Sequence, residues 1–156
     1  MKGALQNMND IPNSGMAITM DIGHPNFIHP VDKETLGERL AWWALGATYG
    51  RKGIVYAAPV YQSMEKIGQK IYINFKNAEH GICPMWIDLK GFEIAGADKI
   101  FYAAKAEIET STTRLAVSCD KVPDPIAVRY AYKNYIEPSI FGLSGIPVAP
   151  FRTDNW

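Results

Sequence analysis

Apolar residues follow two rhythms along this chain, and the change falls near Gly50. Gly15-Met-Ala-Ile-Thr-Met-Asp21 is a short, almost wholly apolar run that ends in an acid and follows the turn-forming Pro12-Asn-Ser-Gly15. Such a run predicts a parallel strand covered on both faces. A loop rich in Pro, Asn and His comes next, and then residues 33–49 take helical spacing. Leu36, Leu40, Trp43 and Ala47 stand at i, i+4, i+7 and i+11 and share one face. Asp32 is placed to cap the first turn, Glu34 suits the positive helix end, and Gly50 with Arg51 and Lys52 supplies the stop. The first third therefore reads as strand, loop, helix.

After Gly53 the pattern shifts to short strands between turn signals, as in an antiparallel sandwich or barrel. The expected strands are Ile54–Tyr56, Lys70–Phe75, Trp86–Leu89, Phe92–Ala95, Ile100–Ala103, Ala106–Glu109, Arg114–Ser118 and Ala127–Ala131. Within Lys70–Phe75, Ile71, Ile73 and Phe75 point one way and Tyr72 and Asn74 the other, so one face is core and the other wet. The Pro- and Gly-rich tail from Glu137 to Trp156 is expected to run as an irregular strap over the sheets. The one boundary is drawn at 52/53. Residues 1–52 read as the last β-α unit of a larger domain, and residues 53–156 as a β-sandwich module. A lone strand and helix cannot cover both faces of the strand, which predicts neighbours upstream or a partner that supplies them.

Charge narrows the function classes. Sixteen basic side chains balance sixteen acidic ones, which gives no electrostatic pull toward a polyanion, so nucleic acid is not an expected partner. No apolar run approaches the roughly 20 residues of a membrane-spanning helix, and no membrane association is expected. Met1–Asp10 has no apolar stretch or cleavage site of the signal-peptide kind. Cys83 and Cys119 lie far apart and fit free thiols at least as well as a disulfide. With three histidines and two cysteines in the chain, no metal-ligand spacing emerges, and no metal is expected.

The candidate chemistry lies between Asp21 and Pro30. An acid and a histidine at the C-terminal end of a parallel strand occupy the usual crevice of an open α/β sheet. In a serine-type hydrolase a histidine takes the nucleophile's proton while an acid holds the ring's tautomer. Two histidines compete: His24, in Asp21-x-x-His24-Pro25-Asn26, and His29, nearer the helix. The nucleophile half has no counterpart, because Ser14, Ser63, Ser111, Ser118, Ser139 and Ser144 all lack a strand-to-helix context. Trp42 and Trp43 read as helix core rather than a sugar platform, and Tyr130, Tyr132 and Tyr135 as strand residues before sugar-stacking ones. Arg129, inside an apolar strand, and Arg152, beside Asp154, read as structural, since a guanidinium can hold carboxylates and loop carbonyls. Glu107 and Glu109 share a strand face, with nothing to make them a glycosidase pair.

Several separated segments carry a family resemblance. Gly15-Met-Ala-Ile-Thr-Met-Asp-Ile-Gly23, Ile28-His-Pro-Val-Asp-Lys33, Gly37-Glu-Arg-Leu-Ala41, Pro59-Val-Tyr61, Gly91-Phe-Glu-Ile-Ala-Gly-Ala-Asp98, Val128-Arg-Tyr-Ala131 and Pro150-Phe-Arg-Thr-Asp154 together resemble the C-terminal portion of sialate O-acetylesterases, in the SGNH hydrolase group. The resemblance is collinear over nearly the whole chain. It implies an α/β fragment, the last strand-helix unit of an SGNH-type αβα domain, followed by an antiparallel β-sandwich. It further implies hydrolysis of acetyl esters on sialic acid or another acetylated glycan, by a serine, a histidine and an oxyanion hole, without a cofactor. The family's histidine falls on His29, and Asp21 is the remaining nearby acid. The family's nucleophile and oxyanion blocks have no match here, so the N-terminal half of an esterase is an expected partner. This chain departs from the family's usual pattern at His24, where relatives carry an acid, and at Asn26, three before His29. The family implies an extracytoplasmic location, periplasmic or secreted. A non-catalytic β-sandwich that binds carbohydrate or packs on an enzyme is the rival expectation, and self-association over the exposed strand and helix a third.

Overall fold

The computed structural model describes residues 11–84, 87–109 and 114–156. Met1–Asp10, the segment without a signal-peptide pattern, and Ser111 lie outside them. Two four-stranded antiparallel sheets dominate. One runs in the order β1 (Val60–Ile67), β2 (Lys70–Lys76), β7 (Leu115–Ser118), β6 (Lys105–Ile108). The other runs in the order β10 (Phe151–Arg152), β8 (Ala127–Tyr130), β4 (Phe92–Ala95), β5 (Phe101–Ala103). A two-stranded ribbon joins β3 (Ile82–Cys83) to β9 (Phe141–Gly142).

The core lies between the sheets because alternate residues of each strand point inward. Ile71 and Ile73 of β2, with Leu115 and Val117 of β7, meet Phe92 and Ile94 of β4 and Val128 and Tyr130 of β8 in one buried cluster. Phe151 of β10 closes it, stacking on Tyr61 at 5.4 Å and standing edge-on to Phe75 at 6.0 Å, with Tyr130 at 5.8 Å. Each such side chain contributes about 1.5–3 kcal/mol by leaving water.

Six of the expected strands are found within a residue at either end. Ile54–Tyr56 is irregular, since Tyr56 is occupied in packing edge-on against Trp43 at 4.8 Å. The strand expected at Trp86–Leu89 lies partly outside the described residues, and its remainder, 87–89, is irregular. β1 was missed because it is an edge strand, with a bulge between Tyr61 and Ser63 and no buried face from Gln62 onward. Polar residues and bulges on an edge discourage further pairing and erase the alternation that marks a strand. The β1–β2 hairpin turns at Gly68, whose φ of 59° suits the first position of a primed hairpin turn. The tail is more than a strap over the sheets: it supplies β9 and β10, and Ile140, Ile146 and Val148 are buried.

The N-terminal third departs further from expectation. Residues 14–19 join no ladder. Helix side chains take up part of their backbone bonding instead, with Trp43 Nε1 donating to the Met16 carbonyl at 3.1 Å and Arg39 Nη1 to that of Ile18 at 2.5 Å. Ile18 packs with Ala58, Ile146 and Ala149 in a smaller cluster, flanked by Trp42. The helix α1 spans Lys33–Trp43 and continues as a wider π-turn over Ala44–Thr48. Its predicted cap forms, as Asp32 accepts from the Thr35 amide at 2.9 Å, and Gly50 ends the helical run at φ 62°. The predicted apolar face does not turn inward. Arg39 and Trp42 face the body of the protein, while Leu40 is 55% exposed and borders an open groove of about 620 Å³ with Trp43 and Ala47. The contacts of Arg39 and Trp42 set the helix's rotation, not the stripe. Gly15 and Gly46 accommodate the aromatics beside α1, because a Cβ would meet the Trp43 ring at 2.5 Å in the first case and Tyr56 at 2.0 Å in the second.

Candidate functional site

The histidine loop is built from turns. Ile22 N donates to the Thr19 carbonyl at 3.2 Å, Phe27 N to that of His24 at 3.4 Å, and Lys33 Nζ to that of Pro30 at 3.0 Å. At the loop's end Asp32 accepts from the Thr35 hydroxyl at 2.7 Å as well as from its amide. These two bonds, the hydroxyl's first, hold the Asp32 carboxyl below its ordinary value.

His29 stands exposed between Ile28 and Pro30, three residues before the cap. Its apolar neighbours are turned outward: Ile28 is 90% exposed, Val31 86% and Phe27 65%. His24 is also exposed. Its Nδ1 accepts the Asn26 amide at 3.1 Å and its ring leans on Phe27 at 5.0 Å. An imidazole whose Nδ1 is an acceptor carries its neutral-state proton on Nε2, so the outer nitrogen of His24 donates rather than accepts. A base needs the reverse, which weighs against His24 in that role.

A cleft of about 310 Å³ opens between this loop and the segment after β8. Thr19, Met20, Gly23, His24, Phe27, Ile28 and Pro30 form one wall, and Ala131, Lys133, Asn134, Tyr135, Ile136 and Pro150 the other. His29 lies beside the cleft without lining it, although both its chain neighbours do. Ala131 takes φ 52°, an uncommon conformation for alanine, and its amide donates to the Gly91 carbonyl at 2.9 Å. The three tyrosines separate. Tyr130 is buried against Phe92 at 4.6 Å, and burial raises its phenol. Tyr132 meets the guanidinium groups of Arg129 and Arg152, so only Tyr135 of the three faces the cleft. No described serine lines it.

Asp21 is engaged elsewhere. Arg39 Nη1 donates to its Oδ1 at 2.6 Å and Nη2 to its Oδ2 at 2.5 Å, a bidentate pair with the arginine buried. Arg39 was not singled out from the sequence, yet a signal existed: it stands at i+3 from Leu36 and i−4 from Trp43, a charge flanking the predicted apolar stripe. Folding joins Arg129 to Arg152 through Asp154 at the β8–β10 edge. Arg129 Nε and Nη2 donate to Asp154 at 3.0 and 2.8 Å, and Arg152 bonds the same carboxylate and the Trp156 carbonyl. Burial pushes the Asp154 carboxyl up, but the bonds and charges of the two arginines outweigh it and leave the group below its ordinary value. Among the described residues no cluster of metal-ligating side chains forms.

No family model matches the sequence. The fold is similar to a carbohydrate acetylesterase from Xanthomonas citri, with a TM-score of 0.88 and 35% identity, over 97% of this chain and 35% of that one. Sialate O-acetylesterases of Pongo abelii and Homo sapiens are each 29% identical over 155 residues, and that of Rattus norvegicus is 28% identical. These alignments take in 90% of this chain, which spans about three tenths of the length of those relatives. The collinear motifs, the matched curated relatives and the shared fold agree: over nearly its whole length this chain is similar to part of a sialate O-acetylesterase.

Proposed function

We propose that this polypeptide is the C-terminal, histidine-bearing portion of a carbohydrate O-acetylesterase and acts only with a segment that supplies the serine nucleophile and oxyanion hole. The observation that carries the reading is the outward turn of Phe27, Ile28 and Val31 around His29. Apolar side chains exposed together beside a candidate base imply a covering surface. A chain that spans about three tenths of its curated relatives' length leaves most of an esterase to provide that surface. The uncovered Leu40 side of α1 and residues 14–19, which join no ladder, agree with an α/β layer docking there.

In this reading residues 1–52 complete the last strand-helix unit of the SGNH-type domain and residues 53–156 form the sandwich that supports it. His29 removes the serine's proton as the hydroxyl oxygen adds to the acetyl carbonyl, then returns it to the departing sugar oxygen, leaving an acetyl-enzyme. It next takes a proton from water, whose oxygen attacks the acetyl carbon, and returns that proton to the serine oxygen as acetate leaves. The substrate is an acetylated sugar, sialic acid or another glycan.

Acetate release from an acetyl ester tests this, with the chain alone and mixed with the N-terminal half of a related esterase. Activity is expected only in the mixture and is expected to fall about 1,000-fold or more in His29→Ala, as for loss of a triad member. An inert mixture, with glycan binding by this chain alone, would select the non-catalytic module instead.

A further inference from the structure

We infer that Arg39 is a positioning residue: through its bidentate hold on Asp21 it fixes the loop that carries His29, and Asp21 serves the histidine through this clamp, not by bonding the imidazole. The inference rests on His29 being the base, but its geometry stands apart from that role.

The loop from Ile22 to Val31 has both ends tied to one helix. At its start Asp21 accepts two bonds from Arg39, at 2.6 and 2.5 Å. At its end Asp32 accepts two from Thr35, at 2.9 and 2.7 Å. Thr35 and Arg39 stand four apart, so both attachments lie on the same side of α1. Arg39 also grips the Ile18 carbonyl at 2.5 Å, so the segment entering the loop is held by backbone and side chain together. The guanidinium fork fixes direction as well as distance, which a single lysine charge would not.

Arg39 bears a cost in this arrangement. It is 5% exposed, and its Nε is buried with no hydrogen-bond partner among the described residues. A helix that only needed packing here would be served by an apolar residue, in keeping with the stripe of Leu36 and Trp43 on either side. Both Asp21 oxygens face the clamp, so the residue nearest in sequence to a triad acid is occupied in holding the loop.

The test uses this chain with Arg39→Met, Arg39→Lys, Asp21→Asn and the Arg39→Met/Asp21→Asn pair. Amide exchange between Ile22 and Val31 is expected to quicken about tenfold in either single variant, and the double to exchange no faster than Arg39→Met, because each removes the Arg39–Asp21 pair and Arg39→Met also removes the bond to Ile18. The His29 ring nitrogen resonances are expected to keep the same tautomer in Asp21→Asn as in the parent chain. In the mixed esterase Arg39→Met is expected to lower kcat with KM unchanged, and Arg39→Lys, which keeps the charge, to restore part of it. A change of His29 tautomer in Asp21→Asn but not in Arg39→Met would overturn the inference, as would unchanged loop exchange in Arg39→Met. If no mixture yields activity, the exchange and ring-nitrogen measurements still decide the clamp, and only the catalytic reading fails.

Discussion

The sandwich and the histidine-bearing segment use their apolar residues in opposite ways. In the sandwich Ile73, Val117, Ile94 and Val128 are sealed between two sheets, and Phe151 plugs the end of the core. In the segment before Gly50, Phe27, Ile28, Val31 and Leu40 face outward, and the buried position on α1 is an arginine. One region is finished by its own residues; the other leaves apolar side chains in water. Burial in the first provides stability, and exposure in the second is the surface on which the proposed docking of a complementary segment depends.

The largest effect expected from breaking this contrast is in the core. Phe151→Ala removes the ring shared by Tyr61, Phe75 and Tyr130 and is expected to cost about 3–5 kcal/mol in urea unfolding. A smaller loss would mean that the two-residue strand β10 is dispensable to the sandwich. Next comes the acid that ties this edge together. Asp154→Asn leaves Arg129 and Arg152 without their shared carboxylate and is expected to cost about 3 kcal/mol at neutral pH. The folded Asp154 carboxyl lies below its unfolded value, so its contribution is present above about pH 4 and fades as pH falls through the lower folded value. Unfolding midpoints of parent and variant should therefore converge under acid; a gap that stays constant would show that the ionised carboxylate is not the stabilising species. The smallest effect belongs to the loop. Ile28→Ser is expected to change stability by less than about 0.5 kcal/mol, since the side chain is already in water, yet to weaken restoration of activity by the complementary half. Comparable losses in both assays would mean that Ile28 packs within its own chain.

What could be read from sequence follows the same division. Strands such as Lys70–Phe75 were legible because they alternate between a sealed core and a wetter face, and that alternation is written in the residues themselves. β1 was hidden because an edge strand with Gln62, Glu65 and Lys66 has no such contrast to display. The segment at residues 14–19 was read as a covered strand because its composition is that of one, but composition cannot supply a neighbour for its backbone. The α1 stripe misled for a related reason: a helix rotates to satisfy the contacts available to it, and here Arg39 and Trp42 found theirs first. His29 came from the family resemblance, whereas the Arg39–Asp21 pair depends on two residues 18 apart that only folding brings together.

Phe151 has one further consequence, in the order of synthesis. A ribosome delivers Ile71, Ile94 and Val128 long before residue 151 emerges, so the nascent sandwich must wait with its core open at one end. During that interval the exposed strands are those a chaperone would bind or a neighbouring nascent chain could pair with, and closure comes only with the final residues of the sheet.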